Sequence, residues 1–179
     1  MDVWVQFFGA AALVLNFIGY RQETVNRYRF VTAFALASLS VHFFMLGAMA
    51  AGIGLAIGAV RNIVAMRFQS MPVLIGFVLI NVVFCLIEWF ILKNPATLFI
   101  AYTASLIFTV GSVILKSADT IRKWFIVAES LMFIYAFLVF SPFGMLFNVS
   151  NLTSIFLKLR SDRRRIQAER ALAKAAKDE

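Results

Sequence analysis

Arg61, Glu129, His42, Glu88 and the amides Asn16, Asn62, Asn148 and Asn151 all stand in stretches otherwise apolar enough for a lipid bilayer. An ionisable group in hydrocarbon is costly, and it persists where it pairs, lines water or handles a solute. Arg61 and Glu129 are expected at similar depth and could form a charge pair, either a permanent strut or a gate that opens and closes. The gate is the working hypothesis. Each asparagine amide both donates and accepts, so it suits a polar cargo as well as a bond between helices. His42 and Glu88 fall in the outer third of their segments, where an imidazole beside a carboxylate could hold and release a proton. A hydrogen-bonded structural histidine is the simpler reading.

The elements that must position these groups follow from composition. The chain of 179 residues is 62% hydrophobic and 15% charged, against about 45–50% and 25% in soluble domains. Its mean hydropathy is +0.87. This is the composition of an all-α membrane protein. Seven transmembrane helices fit the apolar stretches, at 3–20, 30–47, 51–67, 72–92, 96–115, 123–140 and 142–158, each near the length that crosses about 30 Å of hydrocarbon. Pro72, Pro95 and Pro142 fall where helices should begin, where a missing N–H costs little. Met1 and Asp2 lead straight into the first apolar run without a basic segment, so that run is expected to be retained. With the N-terminus outside, fifteen of the 17 Lys and Arg residues lie in inner segments, Lys93 lies outside and Arg61 lies in the membrane. That asymmetry places the C-terminus in the cytosol. The net charge of +8 is thereby accounted for by topology, so no nucleic-acid partner is implied.

Tight uncharged connections at 48–50 and around Ser141, against longer basic ones at 21–29 and 116–122, divide the chain as three helices, one, and three again. The expected units are 1–70, a first three-helix bundle; 71–94, a linker helix; 95–159, a second bundle; and 160–179, a basic cytosolic tail. Helix faces agree. Gly54, Gly58, Arg61 and Ala65 share one face, and Gly144, Asn148, Asn151 and Ile155 repeat the spacing ninety residues later. Small residues mark the side on which helices approach, which turns Arg61 toward protein or water rather than lipid. Snorkelling to the inner interface is the alternative. A parallel repeat joined by one inverting helix is a transporter construction with a cavity near midplane.

The run SVHFFMLGAMAAGIGLAIGAVRNIVAMRFQS, Ser40 to Ser70, resembles the YgjV-type bacterial inner-membrane protein family, in which a His-Phe-Phe-x-Leu-Gly stretch precedes a helix bearing an arginine at this spacing. Gly58 departs from the resemblance, since asparagine is expected there. The family's layout looks like the PQ-loop and SWEET-like transporters, which implies two triple-helix bundles and alternating access to a central site. The segments NFIGYRQ and VGSVILK lack the proline of that group, so its proline hinge is not carried over.

Enzyme chemistry is not expected. The chain has one histidine and one cysteine, no phosphate-binding glycine loop and no metal-ligand spacing, and no cofactor is implied. The expected function is inner-membrane transport of a small polar solute, anionic if the arginine meets it, along a pathway of Arg61, Asn62, Asn148, Asn151 and Asn16. The bilayer and that solute are the expected partners, with room for a homo-oligomer. A non-transporting scaffold, whose polar residues only hold helices together, is the competing expectation.

Overall fold

The fold is taken from a computed structural model that describes residues 3–20, 22, 24–115 and 118–175. Met1, Asp2, Arg21, Lys116 and Lys177, on which parts of the topology reading rest, lie outside the described residues, as do the side chains of Arg170 and Lys174. Seven α-helices and no strand are present among the described residues: α1 Val3–Tyr20, α2 Val25–Met45, α3 Met49–Val64, α4 Met71–Leu86, α5 Leu98–Ile114, α6 Ala118–Leu138 and α7 Pro142–Ala175. A π-helical turn, Ile87–Ile91, extends α4. Asn26–Met45 and Met71–Ile91 are long and apolar enough to cross a membrane on their own, whereas Val3–Gly19, Met49–Val64 and Leu98–Ile114 are apolar but shorter.

Several boundaries differ from expectation for local reasons. The second helix starts at Val25 rather than at 30, because Thr24 takes the N-cap and its Oγ accepts from the Arg27 N–H at 3.4 Å. Polarity had assigned those residues to a loop. At the far end, the basic tail forms no separate helix: α7 runs unbroken from Pro142 to Ala175. It is steadied by Arg122 at the start of α6, whose Nη1 meets Asp162 Oδ2 at 2.8 Å.

Two tight hairpins share one backbone design. After α2, Gly47 takes φ +73°, with Ala48 N–H donating to Phe43 O at 2.9 Å and Gly47 N–H to Phe44 O at 3.0 Å. After α6, Phe140 takes φ +52°, with Ser141 N–H donating to Ala136 O at 2.9 Å and Phe140 N–H to Phe137 O at 3.1 Å. Both are Schellman closures around a left-handed residue. They match at an offset of 93 residues, Gly47 to Phe140, three away from the ninety-residue spacing of the helix faces. The two hairpins therefore repeat in geometry, with the polar helix faces offset from them by nearly one turn.

Helices pack on their neighbours in the order α1, α2, α3, α5, α6, α7 and back to α1, closing a six-helix ring. α4 lies against α5 and α3 and leaves Ile75, Leu79, Val83, Phe90 and Ile91 exposed. One end of the ring, the basic end, carries the starts of α2, α4 and α6; the other, the hairpin end, carries the two hairpins. The core between them is built from small and aromatic residues, including Ala12, Ala35, Phe43, Tyr102, Ala104 and Phe147.

Candidate functional site

The ring encloses a cavity of about 140 Å³ lined by residues from all six of its helices. Gly54 and Gly58 lie on the cavity side of α3: a Cβ on Gly54 would stand 3.5 Å from Ser105 Cβ, and one on Gly58 would stand 3.4 Å from Leu36 Cδ1 and 3.6 Å from Arg61 Nη2, all ordinary contacts. The small residues thus leave open space in the cavity beside the arginine and α5 without being required by a clash.

Arg61 is 4% exposed. Its Nη1 donates to Thr109 Oγ1 at 3.1 Å, across the junction of α3 with α5, and Thr109 in turn donates to Ser105 O at 2.7 Å. The Arg61 Nε has no partner among the described residues, and neither does Ser105 Oγ. Both residues line the cavity.

The junction of α1 with α7 is bridged by amides. Asn16 Nδ2 donates to Asn151 Oδ1, and Asn151 Nδ2 donates to Glu129 Oε1 at 2.8 Å. Glu129 is 5% exposed. It lines the same cavity as Arg61, yet no ion pair joins the two in this conformation: Arg61 is held by Thr109 and Glu129 by Asn151. A direct charge pair was expected. The physical reason for its absence here is that α3 faces α5 and α6 faces α7, so each charge finds its partner at its own junction.

Asn62 and Asn148 also line the cavity. Asn62 Nδ2 donates to Thr32 Oγ1 at 3.1 Å and so ties α3 to α2. Asn148 Nδ2 turns back on its own helix and donates to Gly144 O at 2.7 Å. All six expected pathway and gate residues, Asn16, Arg61, Asn62, Glu129, Asn148 and Asn151, are thus brought to one space.

His42 and Glu88 are not brought together, and neither lines the cavity. His42 is fully buried at the hairpin end, with Nδ1 2.8 Å from Val5 O and Nε2 2.9 Å from Ser141 Oγ. A carbonyl only accepts, so Nδ1 carries the proton and Nε2 accepts from the serine. Glu88 sits on the π-turn, where Tyr102 Oη donates to Oε1 at 2.5 Å and Asn94 Nδ2 to Oε2 at 2.8 Å. His42 and Glu88, which could have formed a proton-linked pair, instead make two separate hydrogen-bonded ties, because His42 points into the ring and Glu88 points from α4 toward α5.

Tyr28, Arg29, Thr32 and Ser112 line the cavity without having been singled out from sequence. Tyr28 and Arg29 lie in the extra turn of α2, ahead of the expected start at 30, whereas Thr32 lies within the expected span. Thr24 directly ahead of the run that starts at Val25 was an N-cap signal that would have placed the first two on the helix. Arg29 Nη1 donates to Ala65 O at 2.8 Å and so caps the C-terminus of α3.

A family model described as a bacterial inner membrane protein, Imp-YgjV, matches residues 3–166. No curated protein and no solved structure matches the chain.

Proposed function

The chain belongs to the Imp-YgjV family of bacterial inner membrane proteins, and on that premise we propose that it carries a small polar solute across that membrane by alternating access. In this reading α1–α3 and α5–α7 are two halves, α4 is the linker, the N-terminus is outside and the basic end faces the cytosol. The cavity then reaches toward the cytosol, where Tyr28, Arg29 and Ile121 line it. The opposite end is closed by His42, which joins α2 to Ser141 of the second hairpin.

The observation that carries the proposal is a cavity bounded by all six ring helices and holding a buried arginine with an unpartnered Nε. Side chains that served only to bind helices would be expected to satisfy one another, since a buried polar atom without a partner costs about 1–3 kcal/mol. The junctions α3–α5 and α1–α7 are the natural places of movement. Each is crossed on the cavity side by a polar contact, Arg61 to Thr109 and Asn16 to Asn151.

Accessibility tests this directly. With Cys85 replaced by alanine, Ser105→Cys and Asn148→Cys are introduced singly and exposed to a membrane-impermeant thiol reagent from each side of oriented vesicles. Transport predicts labelling from both sides, with labelling from the outside lost when the two halves are cross-linked at the hairpin end. Folded protein whose introduced cysteines never react from either side would leave the scaffold reading and end this one.

A further inference from the structure

We propose that the cavity receives a zwitterion of the size of a small α-amino acid, with its carboxylate on Arg61 and Ser105 and its ammonium group on Glu129; this rests on the transport reading of the same cavity. The arginine offers a defined edge. Thr109 takes Nη1 at 3.1 Å, which leaves Nε without a partner and Nη2 beside the bare backbone of Gly58. Two adjacent N–H donors on one side of a guanidinium fit the two oxygens of a carboxylate. Ser105 adds a hydroxyl from α5, buried and unpartnered, opposite the side-chain-free backbone of Gly54.

The other pole is built from acceptors. Glu129 is bound by one amide N–H and makes no ion pair among the described residues. Asn148 gives one of its two Nδ2 hydrogens to Gly144 O, and its carbonyl oxygen remains free to accept from a solute. Donors thus collect where α3 meets α5, and acceptors collect on α6 and α7.

Among the described residues, three charged side chains line the cavity, Arg29, Arg61 and Glu129. Arg29 is engaged by Ala65 O at the end of α3, whereas Arg61 and Glu129 face the space without touching each other, which is costly for two opposite charges buried apart. A monoanion completes only Arg61 and a cation completes only Glu129, whereas a zwitterion completes both and brings no net charge. The cavity of about 140 Å³ lies well below the roughly 300 Å³ at which drug-sized pockets begin, so the body of the solute is small. Leu36, Met132 and Phe147 supply an apolar wall for its side chain.

The test compares three solutes on the purified full chain: alanine, propionate, which lacks the ammonium group, and ethylamine, which lacks the carboxylate. Binding is read by thermal shift and by titration calorimetry. Alanine should bind at least about thirtyfold more tightly than either analogue, the low end for removing one partner of a buried charge pair. Glu129→Gln, which keeps shape and loses the charge, should weaken alanine by a similar factor and leave propionate unchanged. Arg61→Gln should weaken both alanine and propionate; should that variant not fold, the three solutes and Glu129→Gln still decide. Propionate or ethylamine binding as tightly as alanine overturns the proposal, and so does no binding of any of the three. If such a failure came with cavity cysteines that react from both sides, transport would stand and only the zwitterion would fall.

Discussion

Gly144→Ala should be destabilising, and its cost follows from the geometry. A Cβ at Gly144 would stand 2.6 Å from Phe43 Cζ, 2.9 Å from Ser141 Oγ and 3.1 Å from Ala136 Cβ. Carbon contacts are comfortable near 3.5–4.0 Å. Phe43 cannot simply retreat: it is fully buried, edge-on to His42 at 5.5 Å and to Tyr135 at 6.2 Å between ring centroids. Ser141 Oγ is also fixed, accepting from the Gly144 N–H at 3.0 Å while contacting His42 Nε2 at 2.9 Å. Overpacking costs about 1–3 kcal/mol, a disturbed hydrogen bond adds about 0.5–1.5, and better helix propensity returns about 0.5–1. The balance is a loss of about 0.5–4 kcal/mol, on the order of 10 °C in Tm at the upper end for a chain of this size. Gly76→Ala is the control, because a Cβ there meets nothing within 4 Å. It should melt unchanged or slightly higher. Thermal unfolding of both variants in the same detergent decides the matter: if Gly144→Ala melts within a degree of Gly76→Ala, the closeness of α7 to α2 at this point is wrong.

Three other changes test separate parts of the fold. Gly47→Ala should lower stability by about 1–2 kcal/mol through backbone strain alone, since φ is +73° and no atom crowds the position, while Phe140→Gly should relax the equivalent turn at φ +52°; paired thermal melts read both. Tyr102→Phe removes the donor held 2.5 Å from Glu88 Oε1 and should cost about 1–3 kcal/mol, whereas Glu88→Gln with Tyr102 intact should cost less, again by thermal unfolding. Arg122→Ala breaks a partly exposed pair with Asp162 at 2.8 Å and should change global stability by no more than about 1 kcal/mol, while hydrogen exchange of the α7 extension speeds up.

The sequence exposed the parts of the fold that rest on pattern. Apolar stretches and prolines located the helices, and the shared face of Gly54, Gly58 and Arg61 pointed the arginine inward, where it lines the cavity. What the pattern does not carry is which partner a buried charge meets. Arg61 and Glu129 have complementary charges and similar depth, but partnership depends on which helices adjoin, and α3 adjoins α5. His42 and Glu88 pose the same problem, since depth along two helices says nothing of the direction each faces. Tyr28 and Arg29 were hidden for a different reason: hydropathy ends a helix where charges begin, but a capped helix continues through them.

The two junctions between α1–α3 and α5–α7 are closed in related ways, and the difference between them bears on what the cavity can hold. In each, a polar side chain on the third helix of one half, Arg61 of α3 or Asn151 of α7, reaches the first helix of the other, at Thr109 of α5 or Asn16 of α1. The hairpins repeat as well. The acid does not: whether the halves are aligned at 90 or at 93 residues, the counterpart of Glu129 on α2 is a leucine, Leu39 or Leu36, and both line the cavity. On the proposed two-bundle reading, the shell thus surrounds a space whose polarity is one-sided, with Arg29 and Arg61 contributed by α1–α3 and Glu129 by α5–α7. A symmetric or singly charged solute would make no use of that asymmetry. A solute with its own two poles would be held in one orientation and would bridge Arg61 and Glu129, so its departure would leave the contacts Arg61 to Thr109 and Asn16 to Asn151 as the polar ties across the two junctions.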